Sequence, residues 1–393
     1  MPDAKFIPPR QKPLLARLIQ SFFYLIAYFA FQFRLIVSEQ DLAKVRAISS
    51  HRVVYLPNHS NLDDGMVMFQ LSARIGQLFH YVVAVEAFRG MIGKLIQNVG
   101  AYSIRRGVGD RRSIVQTIKL LQQPQSKLVI FPEGGCSYQN DTVIPFRAGA
   151  VELSLKAMSN IVKQEKTIPD FYLVPISLKY CYPDATESDV SKAIANLETA
   201  LGISSKQKDN YSRLRAISQH LLNRLEVEYH AAAAVETDWN QRLAALRQQM
   251  LHYCEEKLEL TSSNQLRDRE RVYKVQAILR NLAESEQDPL IDYDHIYLTT
   301  VRLLNFDAIY DGYVAENPTP ERFFATIDRF EREVFNINQA KPKGKRRIIT
   351  KIGTPINLKD YWLEYQQPDN QLVGRLTKVI QQEVQSNLIK NQC

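Results

Sequence analysis

From residue 50 the chain alternates short apolar runs with stretches of helical periodicity, and that alternation limits the fold more than any other feature. Arg52–Leu56 (RVVYL), Tyr81–Val85 (YVVAV), Leu128–Phe131 (LVIF) and Phe171–Leu178 (FYLVPISL) read as strands, with a shorter one at Tyr102–Ile104. Between them Asp63–Ile75, Phe88–Gln97, Arg111–Gln122 and Gly149–Ile161 read as helices; in the third, Ile114, Val115, Ile118 and Leu121 stand at helix spacing. Runs that alternate in this way bury best as a sheet covered by helices. The expected class is therefore α/β, a mixed sheet flanked by helices. After residue 184 long helical patterns replace the alternation, over Tyr211–Ala234, Thr237–Leu260, Arg267–Ala283 and His295–Tyr310. Strand character returns at Ile348–Ile352, GTPI makes a turn, and Leu372–Leu388 is a last helix. The pattern divides the chain into an N-terminal element (1–49), an α/β domain in two pieces (50–183 and 341–393) and an all-helical insertion (184–340).

The charge is distributed in the same three parts. The 393 residues carry a formal charge of +8. Residues 1–180 hold 22 basic and 12 acidic side chains, residues 181–340 hold 18 and 26, and residues 341–393 hold 10 and 4. The insertion is thus acidic and the parts around it are basic, which suggests two units with different partners. With 45% hydrophobic residues, and 17 Phe, 19 Tyr and 2 Trp to bury, disorder is excluded as the main state. The four cysteines, Cys136, Cys181, Cys254 and Cys393, are widely spaced and form no CxxC pair. That spacing argues against a zinc site or a disulfide framework and fits a reducing compartment.

The most apolar stretch is Phe22–Phe31 (FFYLIAYFAF). A spanning helix needs about 20 apolar residues, so this run is too short to cross a bilayer, and no small-residue cleavage site follows it. Seven aromatic residues fall between Phe22 and Phe33, and Lys12, Arg17 and Arg34 flank them. Aromatic rings favour the headgroup boundary and basic side chains favour anionic lipid. Residues 13–37 therefore read as a helical, membrane-associated element lying in one leaflet, the other reading being a helix buried in a soluble core.

The sharpest motif is Asn58-His59-Ser60-Asn61-Leu62-Asp63-Asp64, at the end of the first strand of the α/β part. In a regular helix a five-residue step splays two side chains by about 140°. With His59 in the loop and Asp64 in the first helical turn, the carboxylate can fold back onto the imidazole. It then fixes the tautomer and leaves the other ring nitrogen as a base. The alternative is that His59 and Asp63 only cap the helix.

Other blocks follow in order. They are Gly100-Ala101-Tyr102-Ser103-Ile104-Arg105-Arg106-Gly107, then Phe131-Pro132-Glu133-Gly134-Gly135-Cys136-Ser137, then Val174-Pro175-Ile176, and last Gly353-Thr354-Pro355-Ile356. Together they resemble the glycerolipid acyltransferases, the 1-acyl-glycerol-3-phosphate acyltransferase family. The first resembles its NHxxxxD motif, the second its G-x-x-x-I-x-R block, the third F-P-E-G-T-R-S, and the last its C-terminal G-x-P-I strand. The likeness covers residues 50–180 and about 346–390.

The resemblance implies roles. His59 would be the general base on an acceptor hydroxyl, with Asp64 orienting it. Arg106 would hold the acceptor's phosphate, and Asn58, Arg105, Glu133, Gly134, Gly135 and Pro175 would line the substrate site. The glycine pair Gly134-Gly135 would let backbone N–H groups approach an oxyanion or phosphate. One departure stands out, because Gly135-Cys136 replaces Thr-Arg and the arginine that helps bind phosphate is missing; Arg105, Arg111 and Arg147 are the candidates to compensate. Cys136 is not read as a nucleophile, since the family moves the acyl group directly from a thioester.

An activated thioester needs only an oriented hydroxyl, a base and a stabilised oxyanion. The expected activity is therefore transfer of a fatty acyl group from acyl-CoA or acyl carrier protein to a lysophospholipid acceptor. No cofactor is required, and no metal-ligand cluster is seen. The expected place is the cytoplasmic face of a membrane, peripheral or monotopic, against anionic lipids. Other readings keep the chemistry on glycerol 3-phosphate or another alcohol, or make the chain a lipid-binding scaffold with a degenerate site. The basic loop Lys341–Arg347 (KPKGKRR) suits anionic headgroups or an acidic carrier protein better than nucleic acid, for which no aromatic interleaving or known module is present.

Overall fold

The computed structural model describes residues 6–107, 109–204, 209–231, 238–261, 266–282, 288–307, 309–367, 371–391 and 393. It divides into two compact units. Of the described residues, those of 6–105, 110–183 and 345–393 form a sheet unit, and those of 106–109 and 184–344 a helical unit.

The sheet unit opens with helix α1 (Pro13–Phe29), strand β1 (Phe33–Ile36) and helix α2 (Glu39–Ala47). The alternation seen in the sequence follows: β2 (Arg52–Pro57), α3 (Asp64–Ile75), β3 (His80–Ala84), α4 (Gly90–Asn98), β4 (Ala101–Ile104), α5 (Arg111–Gln122), β5 (Lys127–Val129), α6 (Gly149–Glu165) and β6 (Phe171–Cys181). The helical unit supplies α7 (Glu187–Leu201), α8 (Asn210–Glu228), α9 (Trp239–Lys257), α10 (Asp268–Leu282), α11 (Tyr293–Asn305) and α12 (Pro320–Val334). The chain then returns to the sheet with β7 (Arg346–Ile352), β8 (Ile356–Asn357), a short α13 (Trp362–Tyr365) and α14 (Leu372–Lys390). The helix ends expected at Ala234, Thr237 and Ala283 lie outside the described residues.

The strands form one mixed sheet in the order β1-β7-β6-β2-β5-β3-β4, with β8 also on β6. All pairs are parallel except β6 with β7 and β6 with β8. At the centre β2 is buried along its whole length. Its side chains alternate between faces, with Val53 and Tyr55 in one core and Val54 and Leu56 in the other. Helices α1, α2 and α3 cover the first face, and α5, α6 and α14 the second.

One sequence expectation is corrected here. Residues 13–37 do not form one helix. The helix ends at Phe29, and Phe33–Ile36 pair in parallel with Arg346–Ile349 as a strand of the sheet. Alternating burial in FRLI explains the switch, because Phe33 and Leu35 fill the core while Arg34 and Ile36 face out.

A second correction concerns the cysteines. Cys181 and Cys393 are joined in a disulfide across 212 residues, while Cys136 and Cys254 are buried outside it. Spacing along the chain could not reveal this, since the end of β6 and the C-terminus meet only after α14 packs back on the sheet.

In the helical unit Leu222, Leu225, Leu246, Met250, Val272, Leu303 and Phe306 make the core. Several of its acidic side chains are paired with arginine: Glu226 with Arg242, Glu255 with Arg271, Glu333 with Arg302, and Asp307 with Arg247 and Arg269.

Candidate active site

In the sheet unit, strands β2, β5 and β6 run in the same direction, so the segments leaving their C-terminal ends converge. Ligands in open parallel sheets lie outside those ends. Asn58 and His59 leave β2 there, Phe131–Ser137 follows β5, and Tyr180 stands on the extension of β6.

His59 and Asp64 meet as the motif suggests, with His59 Nδ1 2.9 Å from Asp64 Oδ2. The Asp64 carboxylate is fully buried, and the His59 side chain keeps 20% of its exposure. Two further donors reach the carboxylate, the Asn61 amide at 2.9 Å on Oδ2 and the Tyr180 hydroxyl at 2.6 Å on Oδ1. Burial, then the neighbouring Asp64 charge, push the Tyr180 hydroxyl well above its usual range, so it remains a donor. A carboxylate accepts only, so the assignment that fits is Nδ1–H donating to Asp64. The lone pair of the neutral ring is then on Nε2, where it can take a proton from a hydroxyl.

The backbone of His59 is held as firmly as its ring. Its N–H donates to Glu133 Oε1 at 2.5 Å, and its carbonyl accepts from the Ser137 amide at 2.7 Å. The imidazole lies against Phe131, centroids 4.4 Å apart. Glu133 is 1% exposed, and its other oxygen accepts from the Ile144 amide at 3.0 Å. The third block therefore fixes the first through a carboxylate that bonds to backbone on both sides.

Several residues expected to line the substrate site act as braces. Asn58 bonds both ways with Leu178, donating to its carbonyl at 3.1 Å and accepting from its amide at 2.7 Å. Asn140 does the same with Tyr180 at 2.6 and 2.7 Å. Glu133 is spent as described. Pro175 is buried in mid-sheet opposite Leu56, and its carbonyl accepts from Gly353. A strand residue's N and O point to the same neighbour, so the missing N–H of Pro175 faces the interruption between β7 and β8, where it leaves no gap in the ladder. In the fourth block and the G-T-P turn, one irregularity accommodates the other.

Gly134 has φ +74°, and a Cβ there would lie 2.5 Å from Arg147 Nε. The left-handed backbone strains any side chain there, and Arg147 would have to shift to admit one. Its own N–H closes a turn on the Phe131 carbonyl at 3.1 Å. Gly135 follows, buried.

Of the arginines named as candidates to compensate, Arg147 is the one packed on the third block. The backbone N–H of Arg105 donates to Asp110 Oδ2 at 2.8 Å, and its guanidinium Nε lies 3.9 Å from the same oxygen. Arg106 groups with the helical unit, its guanidinium 4.7 Å over the Tyr273 ring and its carbonyl accepting from Arg280.

The basic loop is less open than its sequence implied. Lys343 pairs with Asp328 and Glu331 at 2.7 Å each, and Arg346 is 3% exposed and pairs with Asp63 at 2.7 Å. Lys341, Lys345 and Arg347 remain exposed. Tyr180, Arg346 and Asn140 were not singled out as site residues from the sequence. Only Arg346 carried a signal, because in the period of β7 it shares a face with Ile348 and Ile352. Tyr180 lies 116 residues from the carboxylate it serves.

No curated protein matches the chain. Residues 35–179 match the family model described as Acyltransferase, and they span the His59–Asp64 pair, the braces around it and strands β2 to β6 as far as Lys179. This stretch of the chain is an Acyltransferase-family domain of the glycerolipid acyltransferase type.

Proposed function

We propose that the protein transfers a fatty acyl group from an acyl thioester to the free hydroxyl of a glycerol-phosphate lipid, lysophosphatidate first among them, giving phosphatidate. The donor is acyl-CoA or acyl carrier protein. The observation that carries this reading is the His59–Asp64 pair at the end of the central strand of an acyltransferase domain. In the proposed step His59 Nε2 takes the hydroxyl proton as the oxygen attacks the thioester carbonyl. The tetrahedral intermediate collapses, the C–S bond breaks, and the sulfur leaves with the proton from the imidazolium. Asp64 stabilises that imidazolium, and Asn61 and Tyr180 hold Asp64 in place. Arg147, packed on Gly134, takes over phosphate binding from the arginine that Cys136 replaces, together with Arg105.

The lipid substrate implies work at a membrane surface. Helix α1 supports this on two faces. Ala16, Gln20, Phe23 and Ala27 face inward, with Phe23 4.8 Å from Phe69 and Gln20 donating to Ser72 and Gln77. The other face leaves Leu14 89%, Phe22 55% and Phe29 74% exposed. Among the described residues no helix is long and apolar enough to cross a membrane. Helix α4 presents Met91, Ile92 and Leu95, and its last residues bond to the segment leading into α1. Arg17 and Lys94 are exposed on these two helices, and Arg10, Lys12 and Arg89 on the residues just before them. An apolar band edged with basic side chains suits an anionic leaflet.

The test is an acceptor screen. Purified protein is incubated with labelled acyl-CoA or acyl carrier protein and with lysophosphatidate, glycerol 3-phosphate or other lyso-lipids, and products are read by mass. Phosphatidate is expected, with His59→Ala lowering its rate by about 10²–10⁴-fold while the fold persists. No product from any pair would overturn the reading.

A further inference from the structure

The loop 140–147 has no regular secondary structure, yet it lies beside the residues that hold His59. Its middle amide, Ile144 N–H, donates to Glu133 at 3.0 Å, and the other oxygen of Glu133 takes the His59 amide. Two glutamines on α14, more than 230 residues away, hold this loop on either side of Ile144. Gln381 Oε1 accepts from the Phe146 amide at 2.8 Å. Gln385 Oε1 accepts from the Val143 amide at 2.9 Å, and its Nε2 donates to the Asp141 carbonyl at 2.8 Å.

The four-residue step places both glutamines on one face of α14, while Leu376, Ile380, Val384 and Leu388 bury the adjacent one. The helix itself is well anchored. Ser177 donates to the Val384 carbonyl, Lys179 donates to those of Leu388 and Asn391, and the Cys181–Cys393 disulfide ties the chain end to β6. A rigid helix thus presents two amide side chains to an otherwise irregular loop, and that loop aligns Glu133 with His59.

We propose that Gln381 and Gln385 are positioning residues for the transfer reaction, acting through loop 140–147 and Glu133 on the backbone of His59. The proposal rests on the reading of His59 as the base. The full chain is compared with Gln381→Leu, Gln385→Leu and the double variant, using oleoyl-CoA and lysophosphatidate as probes. A base displaced by a fraction of an ångström loses rate rather than binding, so kcat is expected to fall by about tenfold to a hundredfold in the double variant. KM stays within about threefold. Gln381→Glu keeps an acceptor for the Phe146 amide and restores kcat. Hydrogen exchange of the His59 and Ile144 amides, read without substrate, quickens in the Leu variants, and the melting temperature stays close to that of the parent.

An unchanged kcat overturns the proposal. So does unchanged exchange at His59, or a loss of kcat and melting temperature together that Gln381→Glu does not restore. If the parent protein transfers nothing to any acceptor, the functional reading fails, and the exchange measurement alone decides whether the glutamines position His59.

Discussion

The Asp64 carboxylate accepts from three donors that come from three places in the chain: His59 five residues back, the Asn61 amide three back, and the Tyr180 hydroxyl on a different strand. A buried charge persists only when its lone pairs are satisfied, and this one is. The motif predicted the first partner. The second follows from local turn geometry. The third needed the sheet, because nothing in the spacing of NHSNLDD points to a tyrosine in a distant block. A second half-buried histidine carries a prediction for stability. Burial of His80, at the start of β3, lowers its pKa from 6.5 to about 4. Below pH 6.5 the unfolded chain takes up a proton that the folded one refuses until about pH 4, so stability is lost as pH falls through that window. The loss is at most about 3 kcal/mol. Urea midpoints measured from pH 7 to pH 4 are expected to fall, and His80→Phe should flatten the curve. An identical slope in the variant would assign the acid sensitivity elsewhere.

At the scale of elements, the start of α3 depends on β7. The Arg346 side chain is buried against Asp63, the residue before the helix, and also donates to the Phe31 carbonyl at 2.6 Å. One guanidinium joins the N-terminal segment, the helix carrying Asp64 and the last long strand. Removing one partner of a buried pair leaves the other charge unpaired and costs about 3–5 kcal/mol. Arg346→Met should lower the unfolding free energy, read from denaturant titration, by that amount, and Asp63→Asn in the same background should recover part of it. The disulfide supplies a second test. Cross-linking residues 212 apart restricts the unfolded chain by up to about 5 kcal/mol on the loop-entropy account. Cys393→Ser, or reduction of the parent protein, is expected to lower the melting temperature. No change on reduction would mean that α14 is held by its side-chain bonds to β6 and its buried leucines alone.

At the scale of the molecule, the charge asymmetry acquires a structural meaning. The helical unit ties many of its carboxylates to its own arginines, while the sheet unit keeps basic side chains beside exposed apolar ones on and next to α1 and α4. Leaving large apolar side chains in water forgoes about 1.5–3 kcal/mol each, so a surface that covered them would gain several. The protein is expected to co-sediment with vesicles containing anionic phospholipid, less so at high salt. Replacing Phe22, Phe29 and Ile92 with serine should weaken binding by about a hundredfold or more while circular dichroism stays unchanged. Binding that survives those changes would place the contact on another face.

The sequence by itself determined the α/β class, most strand and helix positions in the sheet unit, the His59–Asp64 pair and the order of the blocks. These are local properties, set by side-chain period and by residues a few positions apart. Only the tertiary structure decided which residues near the site face inward. Asn58, Glu133 and Pro175 hold backbone, Arg147 packs on Gly134, and Arg346 leaves the basic loop to neutralise Asp63. Each depends on strands brought together from far along the chain, as does the disulfide between Cys181 and Cys393. Whether a polar residue meets a ligand or a backbone amide is settled by its neighbours in space, and those neighbours exist only once the sheet has closed around β2.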